Sequence, residues 1–283
     1  MKSILLTALA GMYALVTFAQ TDTTKADTLK AGGFVIIKKP NNNNGNPKNS
    51  ISVNFNTQNK TTAKKNLSTN WWIVDVGFAN YRDETNYTQA QQGNYLTVLN
   101  ANAGAVDKNS MRLNTGKSSN VNIWIFMQKL NITKHVLNLK YGLGLEMYNF
   151  RYDRNISYRK NPNAIVFNDT VSFSKNKLYA GYITVPFMLN INTKPNSKNA
   201  LSFSAGVSAG YLISSRNKQV SNERGKVKYR GNFDLEPFRL AAIGEIGLGP
   251  VRIYGSYSLN ALHEKSTQLT QYPYAIGVRF SNW

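Results

Sequence analysis

His263 is followed by Glu264 and has Ser258 and Ser266 close by in the chain. A histidine, a serine and a carboxylate within mutual reach are the set that activates a hydroxyl nucleophile, the chemistry a lipid hydrolase would use. Sequence proximity does not establish reach, and serines abound in this chain, so the expectation for His263 is a surface histidine at the base of a loop. The chain has 2 histidines, and the other, His135, falls in a turn. It has 0 cysteines, which excludes a disulfide framework, thiolate chemistry and cysteine-ligated zinc. There is no metal-ligand spacing, phosphate-cradling glycine loop or nucleophile elbow, so neither a cofactor nor an enzymatic activity is expected.

Two sets of charged residues remain. Asp75, Lys140, Glu146, Arg239, Glu245, Arg252 and Arg279 are scattered singly through apolar segments. Arg151, Arg154, Arg159, Lys160 and Lys175 cluster in one polar stretch, and Arg216, Lys218, Arg224, Lys226, Lys228 and Arg230 in another. Their meaning depends on the elements that carry them.

Val136 to Tyr148, VLNLKYGLGLEMY, sorts by parity. Leu137, Leu139, Tyr141, Leu143, Leu145 and Met147 fall on one side; Asn138, Lys140, Gly142, Gly144, Glu146 and Tyr148 fall on the other. A period of two is a β-strand. Similar alternation places Trp72, Val74, Val76 and Phe78 against Asp75, Gly77 and Ala79, and Val121, Ile123, Ile125 and Met127 against Asn122, Trp124, Phe126 and Gln128. It recurs over Tyr179 to Ile191, Leu201 to Ile213, Phe238 to Leu248, Val251 to Asn260 and Tyr274 to Phe280. These make eight segments, each near the ~9–11 residues that a tilted membrane strand requires. Pro186, inside the fourth, calls for a bulge or a local widening, because proline removes a ladder donor.

Spacers alternate in length. Short turns surround Thr133 to His135, Thr193 to Ser197 and Gly249-Pro250, whereas the joins Arg82 to Ser119, Arg151 to Lys177, Ser214 to Asp234 and Ala261 to Tyr272 are long and polar. A soluble β-sandwich has no reason to gather every long loop at one end. An up-and-down barrel in an outer membrane does so, with short periplasmic turns and long extracellular loops. The seven isolated charges pass a further test, since all share the small-and-polar parity and none lies on the apolar face, where a cation near the midplane costs about 2–4 kcal/mol. An interior as narrow as this holds side chains only, so the expectation is a plug of buried ion pairs, with no catalytic or conducting role. The expected architecture is all-β: a closed antiparallel transmembrane barrel over residues 71–283, monomeric, with a ten-stranded count that recruits Ile51 to Phe55 and Tyr95 to Leu99 as the alternative.

Upstream, Lys2, the apolar run Ile4 to Phe18 and the sequence Thr17-Phe18-Ala19 before Gln20 read as a signal peptide cleaved after Ala19. The run is shorter than the ~20 residues of a spanning helix. Residues 20–70 are rich in Asn, Lys and Thr and read as a mostly disordered periplasmic linker, interrupted by the short β-prone pieces Gly33 to Lys38 and Ile51 to Phe55. The formal net charge is +20, and loss of residues 1–19 would remove only Lys2. An exported chain seldom meets nucleic acid; the nearer counter-charge is anionic lipid. The basic loop residues are accordingly expected to contact lipopolysaccharide phosphates or an anionic surface polymer, against the alternative of loops that are merely wetted and mobile.

The closing residues Tyr274 to Trp283 resemble the assembly signal of outer-membrane barrels, which implies a partner in the barrel-assembly machinery; Trp283 departs from the parity of Tyr274, Ile276, Val278 and Phe280. Tyr182-Ile183-Thr184-Val185-Pro186-Phe187-Met188-Leu189-Asn190 and Ala205-Gly206-Val207-Ser208-Ala209-Gly210-Tyr211-Leu212 resemble consecutive strands of the Bacteroidetes outer-membrane β-barrel family often labelled PorT-like, as does the context Phe18-Ala19-Gln20. The resemblance runs from about Trp71 to Trp283. It implies the barrel fold and, for some relatives, an accessory role in secretion through a periplasmic or secretion partner.

Overall fold

The computed structural model describes residues 65–281 except 161, 162, 196, 198 and 199, together with the backbone of three short upstream strands. The proposed signal peptide, most of residues 20–64 and Trp283 lie outside the described residues. Residues 1–63 and 64–283 are two separate units. In the first, Thr28–Ala31, Phe34–Ile37 and Ser52–Asn54 form an antiparallel sheet with Phe34–Ile37 in the middle.

The second unit is a ring of eight antiparallel strands: β1 Leu67–Asp83, β2 Ser119–Thr133, β3 Leu137–Arg151, β4 Lys175–Asn192, β5 Leu201–Ser221, β6 Phe238–Leu248, β7 Val251–Ser258 and β8 Gln271–Phe280. Each strand pairs with its neighbours in sequence, and β8 returns to β1 from Gln271↔Asp83 to Phe280↔Val74. Closure removes both edges, so the backbone polar groups are paired within the ring. Neither candidate ninth or tenth strand joins it. Ser52–Asn54 belongs to the upstream sheet, and Leu96 makes only an isolated bridge to Val166.

Outside faces carry the predicted apolar set. Val74, Val76, Phe78, Ile183, Val185, Phe187, Leu189, Ile191, Phe203, Val207, Ile246, Ile253, Ile276 and Phe280 are exposed as a lipid-facing band. Two breaks in alternation alter the parity reading. β1 begins at Leu67 rather than Trp71, and its ladder to β2 keeps one register from Trp71↔Phe126 to Ile73↔Trp124, with Trp72, at a left-handed φ of 56°, and the facing Ile125 both left out of it. This local break in alternation turns both Trp71 and Trp72 outward at the short-turn end, where indole rings favour the membrane interface. In β2 the ladder steps from Trp124↔Gly144 to Phe126↔Leu143, leaving Ile125 extra. The strand reverses its faces there: Met127, expected outside, is fully buried, and Phe126 and Gln128, expected inside, are half-exposed on the outer side.

Pro186 pairs with Ser208 of β5, while the ladder to β3 is interrupted between Tyr141↔Phe187 and Gly144↔Thr184. The widening therefore lies on the β3 side, where no donor is demanded of the proline.

Candidate functional site

The interior holds two knots of charge. In the lower one, the Arg279 guanidinium grips Asp75 with both prongs, Nε to Oδ1 and Nη2 to Oδ2 at 2.7 Å each, and its third nitrogen donates to Glu245 Oε2 at 2.7 Å. Trp124 Nε1 donates to Asp75 Oδ2 at 2.7 Å and Asn122 Nδ2 to the same oxygen at 3.2 Å. Glu245 also pairs with Lys140 and, at 3.4 Å, with Arg252, and it accepts from Ser204 Oγ at 2.9 Å. In the upper knot, Arg239 donates to Glu146 Oε2 and Tyr148 Oη at 2.7 Å and to Ser258 Oγ at 2.8 Å, while Thr184 Oγ1 donates to Glu146 at 3.1 Å. All seven charged residues singled out by parity are buried, at 5% exposure or less.

Between the knots lies a cavity of about 20 Å³, lined in part by Trp124, Glu146, Met188, Glu245, Tyr254 and Arg279. That is room for about one water molecule, far short of a continuous aqueous path.

The long-loop end is closed by folded structure. Loop 84–118 carries the short helix α1 Tyr87–Ala90, loop 152–174 a hairpin of Ile156–Arg159 with Ile165–Asn168, and loop 222–237 the strand Gly225–Arg230, which extends alongside β5. Tyr81, Tyr95, Met111, Phe150, Tyr152, Ile156, Tyr158, Val166, Phe233, Leu235 and Leu262 are buried in one cluster that draws on every long loop. Specific polar contacts lock it. Tyr95 Oη donates to Phe233 O at 2.5 Å, the Tyr152 and Tyr158 hydroxyls meet at 2.6 Å, and Gln219 Nε2 donates to Ser157 Oγ at 2.7 Å.

His263 sits in this cap and corrects the expectation of a surface histidine. It is 1% exposed, stacked on Tyr158 at 6.3 Å and edge-on to Tyr95 at 5.9 Å, and neither ring nitrogen has a hydrogen-bond partner among the described residues. Burial pushes its imidazole down to about 3, so it is neutral. The neighbouring Ser258 hydroxyl is engaged by Arg239, and Ser266 is exposed.

The basic residues separate into three kinds. Arg224 does not project free into solvent as expected; it forks onto the buried Asp169 at 2.7 and 3.1 Å and clips loop 222–237 to the hairpin. Arg154, Arg159 and Lys160 are exposed on loop 152–174, Arg159 lying over Phe167 at 4.9 Å. Arg151, Lys175, Arg216, Lys218, Lys226, Lys228 and Arg230 share the outward face of β3, β4, β5 and the Gly225–Arg230 strand. Lys177 belongs with them, and sequence reading missed it; its signal was the outward parity of Lys175, Lys177 and Tyr179 at the head of β4. Buried ligands such as Trp124, Thr184 and Ser204 were also missed, since polar residues of inward parity do not announce which charge they will meet.

Residues 89–264 match the family described as outer membrane protein beta-barrel domain, a span that begins within α1, takes in β2 to β7 and ends inside the last long loop. No curated protein matches the chain. With a closed ring, an apolar outer band and a charge-filled interior, the chain belongs to the outer membrane protein beta-barrel domain family and is an integral outer-membrane protein.

Proposed function

We propose that this barrel is a non-enzymatic scaffold whose contacts are made on its outside, through basic extracellular residues that meet phosphate groups of lipopolysaccharide or of an anionic surface polymer. The observation that carries the reading is the filled interior: paired charges occupy the lumen and interlocked loops cover its mouth, so substrate passage has no conduit among the described residues. The protein acts as a monomer, exported by its signal peptide and inserted by the barrel-assembly machinery. Two measurements test this. Reconstituted in a planar bilayer, it should give no steady conductance; an open-channel current would overturn the sealed reading. Glutamine substitutions across the whole basic extracellular surface, strand faces and loops taken together, should reduce lipopolysaccharide co-purification in a salt-dependent manner, and unchanged co-purification would overturn the surface reading.

An accessory role in secretion draws support from the upstream unit, whose paired strands precede a β1 that starts at the short-turn end, the periplasmic end of such a barrel. Deletion would then produce a secretion defect. A lipid-A hydrolase would need an ionisable His263; its neutral, unpartnered burial argues for unchanged lipid A mass in His263→Ala.

A further inference from the structure

The outward-facing cations are not a loose crowd but a lattice set by strand register. Directly opposed residues of neighbouring strands share a face. One row runs Arg151↔Lys177↔Lys218↔Lys228 across four strands, with a cation at every position. The row toward the membrane runs Asn149↔Tyr179↔Arg216↔Arg230, and the row away from it Lys175↔Val220↔Lys226. Strands lie about 4.8 Å apart, so the central row strings four cations along roughly 14 Å. None of the eight cations is in a salt bridge among the described residues.

Like charges directly opposed destabilise a sheet. Their effect is visible in Lys177, outside the spanning band, whose ammonium is pushed down to about 8 by partial burial and then by Lys175, Arg216, Lys218 and Arg151. Lys218 is lowered in the same sense, by desolvation first and then by Lys175, Lys226, Lys228 and Arg216. Side chains nonetheless hold the lattice in place: Lys177 Nζ donates to Asn149 Oδ1 at 2.5 Å, Arg151 Nη2 to Ser174 O at 2.6 Å, and the Arg216 guanidinium lies over the Tyr179 ring at 4.3 Å. An array of this kind is complete only with anions.

Its position selects their source. The lattice faces sideways off the barrel wall rather than up from the loop tips. On the same strands it continues directly into the exposed apolar residues Ile183, Tyr211 and Ile213, with Phe238 of the neighbouring β6 beside Tyr211. An occupant must therefore present phosphate immediately above hydrocarbon. We infer that the outward face of β3, β4, β5 and the Gly225–Arg230 strand is a binding site for the phosphorylated headgroup of an outer-leaflet glycolipid, with Lys177, Lys218 and Lys228 at its centre. This rests on the reading that the basic extracellular surface meets phosphate, and narrows it to one wall.

The test uses the full-length protein extracted in mild detergent and titrated, by native mass spectrometry, with lipid A bearing two phosphates, dephosphorylated lipid A and inorganic pyrophosphate. The diphosphorylated lipid should bind best, and the triple variant Lys177→Gln/Lys218→Gln/Lys228→Gln should lose about fivefold in affinity for each cation removed. Arg154→Gln/Arg159→Gln/Lys160→Gln, at the loop, should bind as the parent does. Both variants are first shown to keep the heat-dependent gel shift of the closed barrel. If the loop variant loses binding and the wall variant does not, the wall site is overturned while the broader phosphate reading stands. If neither loses binding, both fall, and equal binding of pyrophosphate would overturn the assignment to a lipid.

Discussion

Glu245 is the one carboxylate that Lys140, Arg252 and Arg279 all address, within a knot that holds three cations against two anions. Neutralising it leaves buried positive charge with too little compensation, so Glu245→Gln should cost about 3–5 kcal/mol, read as a lowered temperature for loss of the compact gel form. His263 predicts the opposite behaviour. Its two ring nitrogens are desolvated without partners, and phenylalanine would keep the stacking on Tyr158 while removing that cost, so His263→Phe should be neutral or stabilising at pH 7. The pH dependence has a definite sign. The folded imidazole titrates near 3 and the unfolded one near its ordinary 6.5, so acid protonates the unfolded chain first. Stability is whole above about 6.5 and falls by about 1.4 kcal/mol per unit as pH drops toward 3, a slope that His263→Phe should lack in urea titrations of the parent and variant side by side.

At the scale of elements, the seam between β8 and β1 sets Gly277 directly opposite Gly77, and the Tyr254 side chain crosses them to donate to Asn120 Oδ1 at 2.7 Å. A Cβ at Gly277 would come within 2.8 Å of Tyr254 Cε1 and closer still to the β1 backbone. Gly277→Val should therefore destabilise the ring by about 1–3 kcal/mol through overpacking, measured by the same gel-shift melting. The cap offers a separate test. Arg224 joins two loops through Asp169, so Arg224→Gln should loosen the hairpin and speed tryptic cleavage near Arg159 and Lys160 on intact cells, while the barrel itself stays resistant. Strand identity, facing and the loop rhythm were legible in the sequence because alternation with period two is local information. The breaks in alternation at Trp72 and Ile125 were not, because a strand that reverses its faces carries no compositional mark of where it does so. That is why Met127, lipid-facing by parity, lies in the interior with Ile73, Trp124 and Met188. The burial of His263 is illegible for a different reason: it depends on Tyr95 and Tyr158, which arrive from other loops.

For the whole molecule, closure and filling act together. Residues of inward parity could be recognised as interior, but which charge meets which depends on the stagger of strands around the ring, and that quantity is absent from any one segment. Glu146 reaching Arg239 and Asp75 reaching Arg279 are consequences of that stagger. An intact ring should migrate as a compact species when unboiled and as a slower or faster unfolded one after boiling, in membrane fractions extracted with mild detergent. Identical migration in both states would contradict the closed barrel.

The Asp75–Arg279 grip also gives the ring a means of checking its own alignment. It joins the first and last strands, so it forms only when the chain's most distant partners meet, the contact with the greatest loop-closure entropy in the barrel. A seam shifted by two residues would preserve the in-and-out alternation and satisfy the backbone, yet it would set Arg279 opposite Ile73 or Gly77 and strand two buried charges. Hydrophobic patterning alone tolerates that error. The ion pair does not, and so it selects one registry among those that lipid would accept.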